Sequence, residues 1–307
     1  MLDGFLVVDK PPGITSHHVV AILRRTFGQK KIGHTGTLDP FATGVLPVAL
    51  GEGTKAIPFL DESVKEYRAT MRLGISTDTQ DLEGEVLQER EWSHVTPAMV
   101  DDLLPSFRGE IMQVPPMFSA LKRDGVPLYR LARRGETVER EARRVVIHSL
   151  SIDRVQLPEL TFTVRCSRGT YVRTLAHDLG EALGCGAHLL QLRRTASGSF
   201  TLANAFTLEH LAAASPGEIA ARHFIPIREA LSHLPELELG DRGYARVRNG
   251  MAPGEDDLES GVFPPAGQVV LCYRGVIAAV AEVVAPDGRQ ERHLRICRGF
   301  NQVYPLH

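Results

Sequence analysis

The sequence has few cysteines, and they are not arranged for a metal site or a disulfide framework. Its four cysteines, Cys166, Cys185, Cys272 and Cys297, are widely separated and include no CxxC pair. This spacing favours buried thiols over a zinc site or a disulfide-stapled fold.

Long apolar segments are also missing. No uncharged apolar run reaches the roughly 18 residues that a membrane-spanning helix needs. The N-terminal stretch MLDGFLVVDKPPG carries aspartates where a secretory signal would have basic residues. A cytoplasmic protein without membrane association is therefore expected.

Several well-known catalytic motifs are absent. The sequence contains no GxxxxGK[ST], GxGxxG, HExxH or GxSxG pattern, and GEGTK at 51–55 resembles only half of a phosphate loop. A nucleoside triphosphatase or a nicotinamide-dependent dehydrogenase is therefore disfavoured.

The chain is long enough for about two domains, with 307 residues of which 43% are hydrophobic. Strand-like and helix-like segments follow each other without a steady βαβ rhythm, which predicts an α+β fold with a mixed sheet. GFLVVDK predicts a buried strand, and Ser16 is predicted to cap a helix that ends at Gly28. Beyond residue 235, three strands separated by the turn signals RG and PDG indicate a small β-rich second domain.

Charge is unevenly distributed, although the net charge is only −2. Residues 122–144 carry eight basic and four acidic side chains, whereas residues 195–307 hold ten arginines, no lysine and thirteen acids. The basic clusters fit either a phosphate-binding surface or ordinary solvated helix faces, and composition alone leaves both open.

One carboxylate is isolated in the stretch KIGHTGTLDPFATGVL, residues 31–46. Asp39 is its only acid, and Gly33, Gly36 and Gly44 allow backbone conformations that let a ligand approach closely. Asp-Pro is also a common turn former, so the pattern alone does not separate a catalytic aspartate from a structural one.

Five long blocks span most of residues 4–208: VVDKPPGITS (7–16), GHTGTLDPFATGVLPVALGEGTK (33–55), EYRATMRLGISTDTQDLEGEV (66–86), VPPMFSALKRDGVPLYRLARRG (114–135) and CSRGTYVRTLAHDLGEALGCGAHLLQLRR (166–194). In these blocks and in their order, the sequence resembles the bacterial tRNA pseudouridine-55 synthases of the TruB family.

The resemblance implies a reaction and its catalytic residues. Uracil is detached from ribose at N1, rotated and reattached through C5 at uridine 55 of the tRNA T loop, without metal or other cofactor. Asp39 is implied to be the catalytic aspartate, Arg173 to orient and ionise it, and Tyr67 to stack on the base. From local pattern alone, Tyr67 would be a core residue and Arg173 a surface cation.

Further positions are implied to bind the substrate. Tyr171 and Leu192 match positions that line the uracil pocket, and Lys10 matches a lysine near the site, where structural support is an equal alternative. His34 is implied to occupy the space beside the uridine extruded from the RNA loop. Asp78 and Asp81 are interpreted as backbone caps that support the site. The basic residues Lys122, Arg123, Arg130, Arg133 and Arg134 are implied to contact the phosphates of the T arm.

The resemblance therefore predicts a mixed, mainly antiparallel pseudouridine synthase catalytic domain over residues 1–235. Residues 236–307 are predicted to form a small barrel-like RNA-binding domain of the PUA type, and two roles stay open for it: light contact with the acceptor stem, or mainly structural support. The expected partner is tRNA, and no protein partner is implied. A non-catalytic tRNA-folding chaperone is the alternative function, and a hydrolase that releases free uracil is a remote second one.

Overall fold

The computed structural model describes residues 1–261, 263–284 and 293–301, and these residues form two β-sheets and two small hairpins. The strands are β1 (Gly4–Lys10), β2 (Ile32–His34), β3 (Thr43–Leu50), β4 (Val64–Leu73), β5 (Ile75–Thr77), β6 (Val86–Glu89), β7 (Gly109–Gln113), β8 (Lys122–Arg123), β9 (Val126–Pro127), β10 (Arg143–Gln156), β11 (Glu159–Ser167), β12 (Ala187–Ser197), β13 (Phe200–Thr201), β14 (Ala205–Thr207), β15 (Ile225–Pro226), β16 (Glu236–Leu239), β17 (Leu258–Ser260), β18 (Gly267–Tyr273), β19 (Val276–Val284) and β20 (His293–Gly299). The α-helices are α1 (Ser16–Thr26), α2 (Gly53–Ala56), α3 (Pro97–Leu103), α4 (Leu128–Ala132), α5 (Val172–Ala182), α6 (Leu208–Ala213), α7 (Pro216–His223), α8 (Ile227–Ala230) and α9 (Asp241–Arg248).

The large sheet has eleven strands, and its main path runs β14, β1, β3, β12, β4, β11, β10, β7. Most neighbours are antiparallel, but β14 pairs with β1 and β12 with β3 in parallel. The predicted α+β fold with a mixed, mainly antiparallel sheet is thus confirmed. Because β12 lies between β3 and β4, it places the loop before β3 next to the middle of β4.

Residues 5–8 of strand β1 are all apolar because both faces of the strand are buried there. Successive side chains of a strand point to opposite faces. Leu6 and Val8 accordingly pack into the main core, whereas Phe5 and Val7 pack into a second core. That second core also contains side chains of β18 and β19, so the small sheet is packed against the large one.

Helix α1 begins one residue earlier than the sequence predicts. Thr15, not Ser16, is the N-cap, and its side-chain oxygen accepts a hydrogen bond from His18 N at 3.1 Å. Ser16 is buried instead, and its Oγ bonds both Leu38 N and Leu38 O. The predicted cap was wrong because this hydroxyl ties the helix to the loop that carries Asp39.

The small sheet has the order β17, β16, β18, β19, β20. The predicted RG turn joins β18 to β19, with positive φ at both Arg274 and Gly275, as a tight two-residue hairpin requires. The predicted PDG turn lies outside the described residues. Within the described ranges β17 and β20 do not pair with each other, so this sheet is open and a barrel is not established. No helix in the same ranges is long and apolar enough to cross a membrane.

Candidate active site

A cavity of about 190 Å³ lies between the loop after β2, strand β4 and the start of α5. Its lining includes Asp39, Lys65, Tyr67, Tyr171, Arg173 and Leu192. Five of these six residues were predicted from the sequence to share a site, and the fold brings those five together. Lys65 was not predicted.

Asp39 is paired with Arg173 at the cavity wall. Arg173 Nε lies 2.9 Å from Asp39 Oδ2, and Arg173 Nη2 donates to Oδ1 at 3.4 Å. The side chain of Asp39 is 34% exposed, whereas that of Arg173 is 4% exposed. The Asp39 carboxylate is thus accessible in the cavity, whereas its cationic partner Arg173 is almost fully buried.

Arg173 is itself held by three further groups. Its Nη1 donates to Thr79 O at 2.6 Å and lies 3.5 Å from Asp81 Oδ2, and its Nη2 donates to Phe118 O at 2.7 Å. Burial raises the pKa of Asp81. Asp81 accepts from Glu83 N at 3.0 Å, in keeping with a supporting role in this loop.

Tyr67 points into the cavity because β4 alternates its side chains, and it is 8% exposed. Burial raises the pKa of its phenol, while the neighbouring Arg194 opposes that shift through charge and a hydrogen bond. Sequence reasoning selected Leu192 from the QLRR segment but missed Arg194, although an arginine at an inward strand position is a signal.

Arg194 connects both ends of the loop that carries Asp39, residues 35–42, called the Asp39 loop below. Its side chain is fully buried and donates to Val45 O at 2.7 Å, Gly36 O at 3.1 Å and Thr37 O at 3.4 Å. The guanidinium thus fixes the backbone on either side of the catalytic candidate.

Tyr171 and Leu192 complete the cavity wall. Tyr171 immediately precedes α5, and its backbone exchanges two hydrogen bonds with the buried amide of Gln113, at 2.8 and 3.0 Å. Burial raises the pKa of the Tyr171 phenol. Gln113 at the end of β7 therefore positions Tyr171, a link that no local sequence pattern indicated.

Lys10 lies behind the Asp39 loop and does not line the cavity. Its Nζ donates to Ile14 O at 2.7 Å, Pro11 O at 2.9 Å and Pro40 O at 3.0 Å. Burial lowers its pKa from 10.5 to about 8. With three donors used on backbone carbonyls, Lys10 anchors the residue that follows Asp39.

His34 is also outside the cavity, at the end of β2. Its ring packs edge-on against His17, with centroids 4.9 Å apart. Burial, with the nearby His17 and Arg194 acting in the same direction, lowers the pKa of His34 from 6.5 to about 4. The ring is therefore uncharged at neutral pH.

The five predicted phosphate-binding residues lie together next to the cavity. Lys122 and Arg123 form β8, and Arg130, Arg133 and Arg134 lie on or just after α4. All five are exposed. Residues 122–134 are connected to the cavity because Tyr129 N donates to Ser119 O at 3.1 Å, and Ser119 lines the cavity.

Within the described ranges, one group of three potential metal ligands converges in the small sheet: Glu236, Glu238 and Cys272. Arg228 already pairs with Glu236. The lining of the cavity itself contributes one carboxylate, that of Asp39.

Two family models match the chain. The model of the TruB family pseudouridylate synthase N-terminal domain matches residues 24–172. The model of the tRNA pseudouridylate synthase B C-terminal domain matches residues 173–232.

Individual proteins are similar along nearly the whole chain. A tRNA pseudouridine synthase B of Geobacter sulfurreducens is 54% identical over 304 residues, covering 98% of this chain and 100% of the relative. Its counterpart in Burkholderia mallei is 48% identical over 292 residues, covering 93% and 96%. Among solved structures, an H/ACA RNP bound to a substrate RNA containing 2'-deoxyuridine has a TM-score of 0.72 at 25% identity, covering 97% and 85%. A Cbf5-Nop10-Gar1 complex has a TM-score of 0.70 at 29% identity, covering 95% and 83%.

Proposed function

The chain belongs to the TruB family of pseudouridylate synthases and is an enzyme that isomerises uridine in tRNA, and from this we propose that its target is uridine 55 in the T loop. The observation that supports this reaction most directly is the Asp39 carboxylate, paired with Arg173 and exposed in a cavity shared with Tyr67. In the proposed reaction the N1–C1′ bond breaks and a C5–C1′ bond forms. C5 loses its hydrogen and N1 gains one, so no net oxidation occurs and no cofactor is required.

Asp39 acts at the ribose. Its carboxylate either attacks C1′ as a nucleophile or assists a route through a glycal-like intermediate, and both need an oriented, accessible oxygen. The two contacts from Arg173 supply that orientation, because a guanidinium fork fixes both carboxylate oxygens.

Tyr67, Tyr171 and Leu192 bind the detached uracil. Stacking of a base on an aromatic ring is worth about 1–3 kcal/mol and tolerates rotation of the base in its plane. This suits a reaction in which the base must turn before it is reattached.

Two further residues act outside the cavity. The uncharged ring of His34 is available to occupy the space left by the extruded uridine. Lys10 supports the Asp39 loop.

The exposed cations of residues 122–134 bind the phosphates of the tRNA T arm. These cations are Lys122, Arg123, Arg130, Arg133 and Arg134. Within the described ranges, Arg134 is the one among them that lies within 4 Å of a carboxylate, that of Glu136 at 4.0 Å. We assign residues 1–235 to the catalytic domain and 236–307 to a PUA-type domain that reaches the acceptor stem. The separate core formed by Leu237, Leu271 and their neighbours in the small sheet supports that division.

Tritium release tests the proposal. Because C5 must lose its hydrogen, tRNA carrying tritium at uridine C5 should release label into water with the wild-type protein, and Asp39→Asn should abolish release. Asp101→Asn is the matched control, since Asp101 is an exposed aspartate of α3 and does not line the cavity. A transcript with cytidine at position 55 should release no label.

The alternative functions give different results in the same assay. Binding of tRNA without tritium release would favour a folding chaperone, and free uracil would indicate a hydrolase. Undiminished release from the transcript with cytidine 55 would show that another uridine is the target.

A further inference from the structure

Lys65 lies inside the cavity, although neither the sequence motifs nor the proposed roles account for it. It is two residues before Tyr67 on β4, so the two side chains share the face that points at the substrate cavity. Lys65 is 8% exposed. A β-carbon built on Gly36 would lie 2.7 Å from Lys65 Nζ, which places the amine against the backbone of the Asp39 loop.

The contrast with Lys10 shows what is unusual about this amine. Both lysines are buried, but the Nζ of Lys10 donates three hydrogen bonds to backbone carbonyls behind the Asp39 loop. Lys65 forms neither a hydrogen bond nor an ion pair within 4 Å in the part of the chain that the structure describes. Its nitrogen is therefore available to a ligand in the cavity.

The charges around Lys65 come from four segments. Arg194 on β12 and Arg168 before α5 disfavour a second cation, whereas Glu62 and the Cys166 thiol favour it. Burial is the largest influence, and together these effects lower the pKa of Lys65 from 10.5 to about 8. A substantial fraction of neutral amine is thus present slightly above neutral pH.

The isomerisation needs a base at C5, and the other groups near the cavity are poorly suited. Asp39 is engaged at the ribose. Burial raises the pKa of Tyr67, so its phenol stays protonated and is a weak base. His34 does not line the cavity. An efficient general base has a pKa near the working pH and lies within reach of the proton.

We propose, on the premise of the isomerisation above, that Lys65 is a further catalytic residue whose neutral amine removes the proton from uracil C5 after the C5–C1′ bond has formed. The electron pair of the C5–H bond forms the C5=C6 double bond, the π pair of the C6=N1 bond moves onto N1, and N1 takes up a proton from water. Lys65 becomes an ammonium ion and returns its proton to solvent once the product leaves.

The test is a single-turnover measurement of pseudouridine formation, with the enzyme in saturating excess over the tRNA, between pH 6 and pH 9.5. The wild-type rate should rise with pH and level off above about pH 8. Lys65→Met should be slower by at least about 10²-fold, the usual contribution of a general base. Lys65→Arg should not recover the rate, because it keeps the cation but cannot serve as a base at these pH values.

An isotope effect separates proton removal from structural support. With deuterium at uridine C5, Lys65→Met and Lys65→Arg should each show a larger primary isotope effect than the wild type, because removal of that proton becomes limiting. The control is Arg72→Gln, on the exposed face of the same strand, which should retain the wild-type rate and isotope effect. If Lys65→Met does not fold, the Lys65→Arg variant carries the test by itself.

Full activity of Lys65→Arg, or slow variants with an unchanged isotope effect, would overturn the role of Lys65. Absence of pseudouridine formation by the wild-type protein would instead overturn the proposed function. The two failures are therefore distinguishable in one set of experiments.

Discussion

Three buried cations around Asp39 are bound largely by backbone carbonyl oxygens. Lys10 bonds three carbonyls, Arg194 bonds three, and Arg173 bonds two in addition to its carboxylate partners. Carbonyl dipoles satisfy the donors without cancelling the charge. The charges of these cations therefore favour an approaching polyanion such as RNA.

Replacement of Arg173 tests its assignment as the residue that orients Asp39. Arg173→Ala should lower turnover by about 10²-fold, the typical cost of losing one preorganised charged donor. Binding of tRNA should change far less, because Arg173 is 3% exposed and offers little surface to RNA. Turnover and tRNA affinity are to be measured separately, with thermal unfolding as a check on folding. Equal losses in rate and affinity would contradict the assignment.

Prediction of the site residues from the sequence depended on the family motifs rather than on local pattern. Asp39, Tyr67 and Arg173 were predicted only through the family motifs, because an Asp-Pro turn, a strand tyrosine and a helix arginine are each ordinary locally. Residues of KEYRATMRL alternate between the two faces of β4, and this alternation puts Lys65 on the same face as Tyr67. Lys65 and Arg194 lie together at the Asp39 loop because β12 is inserted between β3 and β4. No local periodicity in the sequence encodes that strand order.

At the scale of elements, the Asp39 loop is fixed by its neighbours. Ser16 of α1 bonds Leu38, Lys10 of β1 bonds Pro40, and Arg194 of β12 bonds both ends. A glycine-containing loop would otherwise be mobile. Anchoring by three separate elements keeps the carboxylate in one place while the short side chains leave room for RNA.

Two glycines of this region make a matched pair for testing how tightly the loop is held. Gly44 has φ +100°, and a β-carbon there would lie 2.2 Å from Arg194 O, whereas a β-carbon on Gly33 meets nothing within 4 Å. Gly44→Ala should therefore destabilise the protein by at least about 1–3 kcal/mol, the cost of such backbone strain, and lower activity. Gly33→Ala should change stability little. Urea unfolding of both variants measures the difference in stability. Equal midpoints would contradict the prediction and would show that the backbone of β12 can move to accommodate the added β-carbon.

At the scale of the whole molecule, the two sheets are joined by a shared core and by one carboxylate. Glu52, in the GEGTK segment, accepts from Asn301 N at 2.8 Å after β20 and pairs with Lys55 at 2.6 Å and Lys31 at 2.9 Å. Lys55 Nζ also donates to Gly299 O at 3.4 Å. This segment, which resembles half of a phosphate loop, is thus a connection between the sheets.

Stability should report this connection through its pH dependence. Burial alone raises the pKa of Glu52, but the hydrogen bond from Asn301 and the two lysines outweigh it and lower the pKa from 4.5 to about 2. A carboxyl group with a depressed pKa in the folded state stabilises the protein above its unfolded pKa, and that contribution is lost as the pH falls from 4.5 toward 2. Glu52→Gln should therefore be less stable than wild type at pH 7, by about 1–3 kcal/mol. The difference should shrink as the pH drops through this window, as followed by urea unfolding, and a difference independent of pH would refute the link.

The position of β12 also sets the order in which a working site can arise during synthesis. Arg194 bonds Val45 O across a separation of 149 residues in the chain. Until residues 187–197 have left the ribosome, β3 and β4 have no strand between them and the Asp39 loop lacks its central anchor. Contacts so distant in sequence form slowly, and domains fold as units as they emerge. A nascent chain thus carries Asp39 and Tyr67 before it can form the site, and it is not expected to modify tRNA until residue 197 of the 307 has emerged.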